Sequence, residues 1–440
     1  MLANLETLNG AVLGFLQISV KGSIMNPVIV LKFGGSSLAD RQRIRQAASI
    51  VLRKRSRGCR IVVVVSARAH QTDGLLEEAR SYTSSPAPRE VDMLLSSGER
   101  ISAALFSIAL NSMGCPAIAL SGSQAGIITD DNHTNARIIE IRPHRVREAL
   151  QGDCVVVVGG FQGVSFRKEI TTLGRGGSDV TAVALASALD AEVCEIYSDV
   201  DGVYTADPNI VPAAGKLEEL SYQEMQEMGE AGARVLHPGS VEFAKIKDTV
   251  IHAKSTFEPD GVGSIIQNLE GRIKPRIVGV ASEEKIVLLH VRERDAERLQ
   301  TMQRLLDFCS REGIRTKQVS FDSGPPGEAV GSLIVPEKEN YHIESILRLL
   351  HDRFSGEVDI YRDYCAVSLI GTGINDRYQY LADCLQLLAD RGIQIGALHT
   401  SSFRISLLVG RRHLAEVVTL FHRHFIEEAQ VGMVATESPD

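Results

Sequence analysis

Short runs of apolar residues alternate with longer amphipathic stretches from residue 27 to about residue 270. The runs are rich in valine and isoleucine and are uninterrupted, which is typical of strands covered on both faces of a mainly parallel sheet. We therefore predict an α/β fold in which helices sandwich such a sheet, with ligands at the carboxyl ends of the strands. The predicted strands are 28–32, 61–66, 116–120, 155–160 and 193–199, and the predicted helices are 40–57, 88–113, 135–150 and 178–190.

The pattern changes after about residue 275, where an internal repeat begins. Two strand-like runs, 285–291 and 365–371, each lead into a helical pattern that ends at a glycine, Gly313 or Gly392. Glycine at this position is typical of a residue that terminates a helix. Two more strand-like runs and a helix follow each glycine, so the ferredoxin-like order β-α-β-β-α occurs twice. We predict tandem α+β modules at about 283–360 and 363–440, within a C-terminal region 275–440.

Residues 1–26 precede the first predicted strand and are interpreted as an N-terminal extension. Their apolar stretch, 11–20, has about half the ~20 residues of a membrane span, and no Lys or Arg precedes it as in a signal peptide. The seven cysteines are scattered and form no C-x-x-C pair, which is typical of reduced thiols in the cytoplasm. The net charge of −8 argues against general nucleic-acid binding. We predict a cytoplasmic protein with no membrane or nucleic-acid partner.

A glycine-rich loop directly before a helical stretch is the strongest chemical signal in the chain. The segment TTLGRGGSDVTAVALASALD, residues 171–190, places Arg175 among glycines, and Ser178 and Asp179 at the expected start of a helix. Glycine lets the backbone approach a ligand closely, and the first N–H groups of a helix attract anions. We predict that Ser178 or Asp179 caps the helix and that Arg175 completes an anion site.

A second glycine-rich turn follows the first predicted strand. The segment VIVLKFGGSSLAD, residues 28–40, runs from apolar residues into Lys32, Gly34 and Gly35. A cation beside free backbone N–H groups is typical of a phosphate site. The chain has neither G-x-x-x-x-G-K-[ST] nor G-x-G-x-x-G, which argues against a P-loop protein and a typical dinucleotide binder. Two cation-bearing turns held face to face would suit phosphoryl transfer.

The segment YSDVDGVYTADP, residues 197–208, is polar and follows a predicted strand. It is either a polar turn into a hairpin or a clamp for a nucleoside, with Tyr204 against a ring and the aspartates on ribose hydroxyl groups. The residues alone leave both interpretations open.

Six segments in order resemble the aspartate kinases of the amino acid kinase family: KFGGSS, LSSGER, GGFQG, TTLGRGGSD, YSDVDGVYTADP and ARVLHPGS. The C-terminal repeat resembles the paired ACT modules of that family. The resemblance implies an amino acid kinase catalytic domain over 27–270, followed by ACT modules. It also implies transfer of the ATP γ-phosphoryl group to the side-chain carboxylate of L-aspartate. The product, 4-phospho-L-aspartate, would begin the routes to lysine through diaminopimelate, to threonine and to methionine.

The family motifs imply a role for each matching residue. Lys32 and Asp179 would be catalytic, with Lys32 on the phosphates and Asp179 orienting it. Arg175 would bind the α-carboxylate of aspartate and Glu99 its ammonium group. The implied ATP contacts are Lys32, Phe33, Gly34, Gly35, Ser198, Asp199, Tyr204, Asp207 and Arg234. The implied aspartate contacts are Ser66, Thr72, Glu99, Phe161, Arg175, Gly176 and Ser178.

The same resemblance implies the ligands and partners. ATP would carry Mg²⁺ on its phosphates, so that the protein needs no dedicated metal site. An amino-acid effector, lysine or threonine, would bind where the ACT modules of two copies meet, in a homodimer or larger assembly. A carboxylate with an ordinary pKa of about 3.9 is ionised at neutral pH, so catalysis would rest on positioning and cationic stabilisation without a general base.

Two alternatives stay open. One is another amino acid kinase that acts on glutamate, acetylglutamate or a nucleotide; the GRGGSD and FQG segments and the ACT region argue against it. The other is a catalytically weak, amino-acid-sensing subunit, against which Lys32, Arg175 and Asp179 argue. Two positions depart from the family pattern: Asn209 stands where many relatives have arginine, and Arg234 where they have lysine.

Overall fold

The computed structural model describes residues 26–83, 85–233, 235–271, 275–293, 300–323, 329–340, 343–376 and 378–428. The strands are β1 Val28–Phe33, β2 Arg60–Val65, β3 Ala117–Leu120, β4 Ile127–Thr129, β5 Ile138–Ile141, β6 Val155–Gly159, β7 Gln162–Ser165, β8 Ile170–Thr172, β9 Val193–Ser198, β10 Val203–Tyr204, β11 Lys216–Leu217, β12 Glu219–Ser221, β13 Ile251–Ser255, β14 Ser264–Gln267, β15 Arg276–Glu283, β16 Ile286–Glu293, β17 Gln318–Ser323, β18 Ala329–Pro336, β19 Val358–Tyr361, β20 Tyr364–Thr372, β21 Ile395–Ser401 and β22 Arg404–Gly410. The helices are α1 Arg41–Ser56, α2 Gln71–Tyr82, α3 Pro88–Ser112, α4 His144–Gln151, α5 Gly177–Ala188, α6 Tyr222–Glu230, α7 Pro238–Lys247, α8 Gln300–Arg311, α9 Ile343–Phe354, α10 Gln379–Ala389 and α11 Leu414–His422.

The largest sheet has the strand order β12-β14-β13-β9-β1-β2-β6-β3. Its neighbouring strands are parallel except for the antiparallel pair β13–β14. Because side chains alternate across a strand, Val30 and Val62 pack toward α4, α5, α6 and α7, whereas Leu31 and Val63 pack toward α1 and α3. The mainly parallel sheet between two helical layers is confirmed.

The predicted helix 135–150 is wrong in its first half. Residues Ile138–Ile141 form β5, and a helix begins only at His144, directly after Pro143. Strand β5 belongs to a small sheet of order β5-β4-β7-β8. An isoleucine-rich segment suits a strand, and the residue before a proline is disfavoured in a helix, so no helix continues through Arg142 into Pro143. This small sheet leads directly into the glycine-rich loop at residue 174.

Helix α3 is long and apolar enough to cross a membrane by length and composition, and half of that apolar stretch is buried within the protein. It packs against β3, β6 and β8. Asp92 and Glu99 are both buried along it. The helix therefore has the contacts of a core helix, and one apolar helix is weak evidence for a membrane span.

The C-terminal region contains two antiparallel four-stranded sheets. One has the order β17-β18-β16-β19 and the other β15-β20-β22-β21. Strand β15 precedes both sequence repeats, yet it pairs with β20 of the second repeat. The first module is therefore nested within the second along the chain.

The two helix-terminating glycines are confirmed. Gly313 has φ 64° and Gly392 has φ 63°, both in the left-handed region that glycine adopts without strain. The residue after each glycine donates its N–H back into the last turn, from Ile314 to the Cys309 carbonyl and from Ile393 to the Leu388 carbonyl. Both helices thus end with the hydrogen bond that closes a Schellman motif.

Candidate active site

The carboxyl ends of four neighbouring parallel strands form the edge at which the glycine-rich turns meet. Backbone hydrogen bonds extend beyond the strands, from Ser66 N to Phe33 O at 3.2 Å and from Gly160 N to Val65 O at 2.9 Å. Side chains that follow β1, β2, β6 and β9 in the sequence are thereby held at one edge, where an open parallel sheet binds its ligands.

Lys32 is the cation at this edge. It is the fifth residue of β1 and lies on the sheet face that α5 covers. Its Nζ lies 2.6 Å from Asp179 Oδ1 in the first turn of α5, and the two side chains are only 11% and 13% exposed. The structure thus brings together the two residues predicted to be catalytic, and the carboxylate fixes the ammonium group at the strand end.

Helix α5, which follows the glycine-rich loop, is not capped by the residues that were predicted. The N-cap residue is Gly176, with φ 70°, and no side chain caps the helix, so the prediction that Ser178 or Asp179 is the cap is wrong. A Cβ at Gly176 would lie 2.1 Å from Cγ of His237, so only glycine fits beneath that ring. Asp179 is held by Lys32, and the Gly177 and Asp179 N–H groups donate to the Gly174 and Gly176 carbonyl oxygens at 3.1 and 2.9 Å, so the start of α5 is closed mainly by backbone. Arg175 is exposed directly before it.

Glu99 is a buried carboxylate on α3 with one oxygen paired and one unpaired. Its Oε1 accepts from the Ala67 N–H at 3.1 Å, while Oε2 is buried without a hydrogen-bond partner. Burial raises the pKa of the Glu99 carboxyl to about 7. An unpaired buried acceptor is costly unless a ligand satisfies it. This oxygen is therefore suited to a cationic donor such as an ammonium group.

Close backbone packing connects Glu99 to the other turns. A Cβ built at Gly159 would lie 3.4 Å from the Glu99 Cβ, and one at Gly35 would lie 2.8 Å from the Ala67 carbonyl oxygen. A Cβ at Gly160 would lie 3.0 Å from the Ser178 Cβ. These glycines allow the turns after β1, β2 and β6 to approach α3 and α5, so the predicted substrate-side residues share one region.

Phe161 lies in this region with an unusual backbone. Its φ is 66°, which is uncommon for a bulky side chain and is found where surrounding contacts force it. Its N–H donates to Thr181 Oγ1 at 3.1 Å, and its carbonyl accepts from Leu173 N at 2.9 Å. Ser178 is buried at the start of α5, whereas Ser66 and Thr72 are half-buried near the β2 turn and at the start of α2.

Two predicted ATP contacts, Phe33 and Gly34, already make contacts within the protein. The Phe33 side chain is fully buried in the core, with ring centroids 5.6 Å from Phe106 and 5.1 Å from Tyr197, so it is not available to a nucleotide. The Gly34 N–H donates to the Tyr197 carbonyl oxygen at 3.2 Å, so it is not free for a phosphate in this conformation. Alternation across β1 directs the Phe33 side chain into the core, and the Gly34 bond continues the pairing of β1 with β9 into the turn. Arg234 lies outside the described residues.

The predicted nucleoside segment contains the end of β9 and the short strand β10, which pairs with β11 further along the chain. The Tyr204 hydroxyl donates to Asp201 Oδ1 at 2.9 Å, and Lys216 pairs with Asp201. Ser198 is half-buried at the end of β9, while Asp199 and Asp207 are exposed. Asp207 Oδ1 accepts from both nitrogens of Asn209 at 2.9 Å, so the asparagine that replaces the family arginine stabilises its own turn.

Asp92 is a residue that the sequence analysis missed. It is fully buried on α3 and accepts from the Thr134 N–H at 3.0 Å and from Thr172 Oγ1 at 2.5 Å, and its Oδ2 lies 2.7 Å from His133 Nδ1. It thereby anchors the 132–136 loop and β8 to the helix that carries Glu99. An aspartate within an amphipathic helix has no distinguishing signal in the sequence, so only its burial reveals this role.

A cleft of about 890 Å³ opens beside the start of α5. Its lining includes Arg175, Gly176 and His237, together with Arg315 and Asn340 from the C-terminal region. Burial lowers the pKa of His237, and its Nδ1 accepts from Gly239 N at 3.2 Å. The glycine-rich loop therefore lies between the large sheet and the first C-terminal module.

Residues 27–253 match the model of the amino acid kinase family. The chain is 40% identical to the aspartokinase of Mycolicibacterium smegmatis over 419 residues, which cover 90% of this chain and 96% of that protein. It is 37% identical to the aspartokinase of Geobacillus stearothermophilus, with 90% and 97% coverage. The chain belongs to the aspartokinases of the amino acid kinase family.

Solved structures agree in fold. The chain is similar to E. coli aspartokinase III in complex with aspartate and ADP, with a TM-score of 0.74 and 24% identity over 90% of this chain and 99% of that one. It is also similar to aspartate kinase from Synechocystis, with a TM-score of 0.51 and 30% identity over 90% of this chain and 69% of that one. The aspartokinase fold extends over both the large sheet and the C-terminal modules.

Proposed function

We propose that this chain transfers the γ-phosphoryl group of ATP to the side-chain carboxylate of L-aspartate and forms 4-phospho-L-aspartate. This product begins the routes to lysine through diaminopimelate, to threonine and to methionine. The observation that carries the proposal is the Lys32–Asp179 pair of 2.6 Å at the same sheet edge as the unpaired Glu99 oxygen and the Arg175 loop. Membership of the aspartokinases supports the choice of substrates.

The reaction needs little proton chemistry. The attacking carboxylate is already an anion at neutral pH, so the main difficulty is to bring it to a triphosphate and stabilise charge on the transferring group. Lys32 is held in place by Asp179 and would supply positive charge there. Gly35, in the turn after β1, would bring backbone close to the phosphates. Positioning by a rigid strand end then replaces a general base.

Two charged groups would orient the amino acid. Arg175 presents a guanidinium group, which binds a carboxylate through two parallel hydrogen bonds, so we assign it the α-carboxylate. Glu99 Oε2 would accept from the ammonium group. Ser66, Thr72, Phe161, Gly176 and Ser178 would complete the pocket around the side-chain carboxylate.

ATP and Mg²⁺ are the proposed cofactors. Ser198, Asp199, Tyr204 and Asp207 would hold the nucleoside end, beside the β9 strand end. Among the described residues, no group of three or more His, Cys, Asp and Glu side chains is arranged to hold a metal ion. Mg²⁺ keeps most of its ligands as phosphate oxygens and water in such sites, and it would neutralise phosphate charge.

The direct test is formation of an acyl phosphate, trapped as a hydroxamate, by the purified chain with Mg-ATP and aspartate. Glutamate and acetylglutamate are parallel substrates, each with and without lysine or threonine. We expect product from aspartate alone. Product from another acceptor would favour a different amino acid kinase, and no product from aspartate despite bound ATP would favour a sensing subunit.

Aspartate binding is expected to weaken as the pH falls through about 7. Glu99 must be ionised to pair with an ammonium group, and burial raises its pKa from 4.5 to about 7. The KM for aspartate should therefore rise several-fold as the pH is lowered from about 8 to about 6. The KM for ATP should not follow the titration of Glu99. Steady-state kinetics across this range would measure both values.

The variant Glu99→Gln separates this effect from folding. It should raise the KM for aspartate at every pH and remove its rise below about pH 7. Because the folded-state pKa is raised, the contribution of Glu99 to stability is present at low pH and is lost as the pH rises from 4.5 to about 7. Glu99→Gln should therefore be the more stable protein above pH ~7 in thermal unfolding. If the KM for aspartate still rises below about pH 7 in this variant, Glu99 is not the cause of that rise.

We further propose a homodimer or larger assembly, with lysine or threonine bound where C-terminal modules of two copies meet. Strand β17 forms an edge of its sheet and exposes Val319 and Phe321, an arrangement that favours pairing with another sheet. Light scattering at micromolar concentration should give at least the mass of a dimer, and a monomer would contradict the proposal. The cytoplasm is the proposed location, since all seven cysteines are free thiols.

A further inference from the structure

Arg315 extends from the first C-terminal module to the large-sheet part of the protein. Its Nη2 donates to Asn135 Oδ1 at 2.9 Å. The backbone of Arg315 is itself fixed, because its N–H donates to Asn340 Oδ1 at 2.8 Å and its carbonyl accepts from Asn340 Nδ2 at 3.0 Å. Asn340 is buried and also donates to the Pro336 carbonyl at 2.8 Å. The backbone from which the guanidinium group extends is therefore held by the body of the module.

The Arg315–Asn135 contact lies directly against the loop that carries Arg175. A Cβ built at Gly174 would lie 2.9 Å from Asn135 Oδ1 and 3.4 Å from Arg315 Nη2. Gly174 has φ 72°, so the loop turns sharply at this point of contact. Any shift of Asn135 would change the space available to the residue before Arg175.

Asn135 is also connected to the other proposed aspartate contact. Its neighbour Thr134 donates its N–H to buried Asp92, which lies about two helical turns before Glu99 on α3. Ala136 N donates to the Thr172 carbonyl at 2.8 Å, and this joins the loop to β8 just before Gly174. One loop, residues 132–136, thus lies between the Arg175 loop and the helix that carries Glu99.

We propose that Arg315 is a positioning residue for the aspartate side of the active site, acting through Asn135 on the Arg175 loop. This proposal rests on the proposed function. Lys317, two residues further on, pairs with Glu283 of β15 at 3.0 Å and with Glu339 at 3.1 Å. These ion pairs support the segment from which Arg315 extends.

The variant Arg315→Ala is expected to raise the KM for aspartate about three- to tenfold, the range for losing one ordinary hydrogen bond. The kcat and the KM for ATP should change less than about twofold, since the hydrogen bonds that Arg315 makes in the described part of the chain go to Asn135 and Asn340 and not to Lys32, Asp179, β10 or β11. Asn135→Ala should have the same effect, and the double variant should be no worse than either single one. Arg315→Gln, which keeps N–H donors without the charge, should recover part of the loss.

Lys338→Ala is the matched control, because it removes a positive charge from the same module, where Lys338 pairs with Glu284 at 4.0 Å. It should leave the KM for aspartate unchanged. Any of three results would overturn the proposal. Lys338→Ala could raise the KM for aspartate as much as Arg315→Ala does, or the effects of Arg315→Ala and Asn135→Ala could add in the double variant. Arg315→Ala could also change the KM values for aspartate and ATP in parallel.

Amide hydrogen exchange on the full chain tests the same contact without any activity. Arg315→Ala should speed exchange in residues 132–136 and 174–176, and leave residues 193–204 unchanged. Unchanged exchange in the first two segments would refute the positioning role. If the wild-type chain forms no acyl phosphate but exchange responds as expected, the proposed function fails while the contact stands.

Discussion

Replacing Lys32 with methionine is expected to lower kcat for acyl phosphate formation about 10²- to 10³-fold, the range for removing one group that stabilises transition-state charge. Lys32 Nζ lies 2.6 Å from Asp179 Oδ1 on the mostly buried face of β1, so no flexible side chain can easily replace it. The KM for aspartate should change little, because Arg175 and Glu99 remain. Steady-state kinetics with the hydroxamate assay measures both kcat and the KM for aspartate.

The same substitution should also lower stability. The double variant Lys32→Met with Asp179→Asn, and the control Lys54→Met, separate the loss of stability from the loss of activity. Removing Lys32 leaves the Asp179 carboxylate largely buried without its partner, which costs about 3 kcal/mol in comparable pairs. The double variant Lys32→Met with Asp179→Asn should recover much of this stability in thermal unfolding without recovering activity. Recovery of activity in the double variant would contradict the role of Lys32.

Lys54→Met is the matched control for a buried lysine. Lys54 Nζ lies 2.6 Å from Glu195 Oε1, in a pair that is also mostly buried but belongs to α1 and the middle of β9. This variant should lose stability much as Lys32→Met does, yet keep kcat within about twofold. A comparable loss of kcat in Lys54→Met would show that disruption of a buried pair, and not phosphoryl-group stabilisation, explains the effect of Lys32.

The second large effect is expected from Arg175→Ala, which should raise the KM for aspartate about 10²-fold. The bound substrate would bury its pair with Arg175, and removing one partner of a buried, hydrogen-bonded charge pair typically costs about 2–5 kcal/mol, where about 1.4 kcal/mol corresponds to a factor of ten. Because Arg175 is exposed beside the start of α5, and contacts of exposed charged side chains contribute only about 0–1 kcal/mol, its loss should change the thermal unfolding temperature little. Kinetics and thermal unfolding of the same preparations check both statements.

Arg175→Lys distinguishes geometry from charge. A lysine keeps the charge but cannot form two parallel hydrogen bonds, so it should recover only part of the lost affinity. Arg167→Ala is a suitable surface control, because Arg167 pairs with Asp131 at 3.5 Å near β7 and is 81% exposed. Full activity in Arg175→Ala would assign the α-carboxylate to another residue.

Local sequence was sufficient where short-range physics decides the structure. The valine run 61–66 could only be a covered strand, and β2 occupies Arg60–Val65. Gly313 and Gly392 end helices because no other residue adopts positive φ so readily. Prediction failed at Ile138–Ile141, because this segment becomes a strand by pairing with β4, a partner that the sequence does not reveal.

The active site shows the same division between what local sequence predicts and what long-range contacts decide. The segments around Lys32, Arg175 and Glu99 were recognisable from their residues and order. Phe33 and Gly34 were assigned to a nucleotide because they belong to the KFGGSS motif, whereas alternation across β1 directs the Phe33 side chain into the core, and pairing with β9 occupies the Gly34 N–H. Motif membership therefore identified a turn but not the direction of each group within it.

By itself the sequence determined the alternation of strands and helices, the repeat after residue 275 and the residue types that can hold phosphates and an amino acid. Only the tertiary structure decided which of them meet. It nests one module inside the other through β15, brings Arg315 to Asn135, and buries Glu99 so that its pKa rises to about 7. The reason is physical: periodicity and turn preferences act over a few residues, whereas burial and charge pairing depend on residues that are distant in the chain.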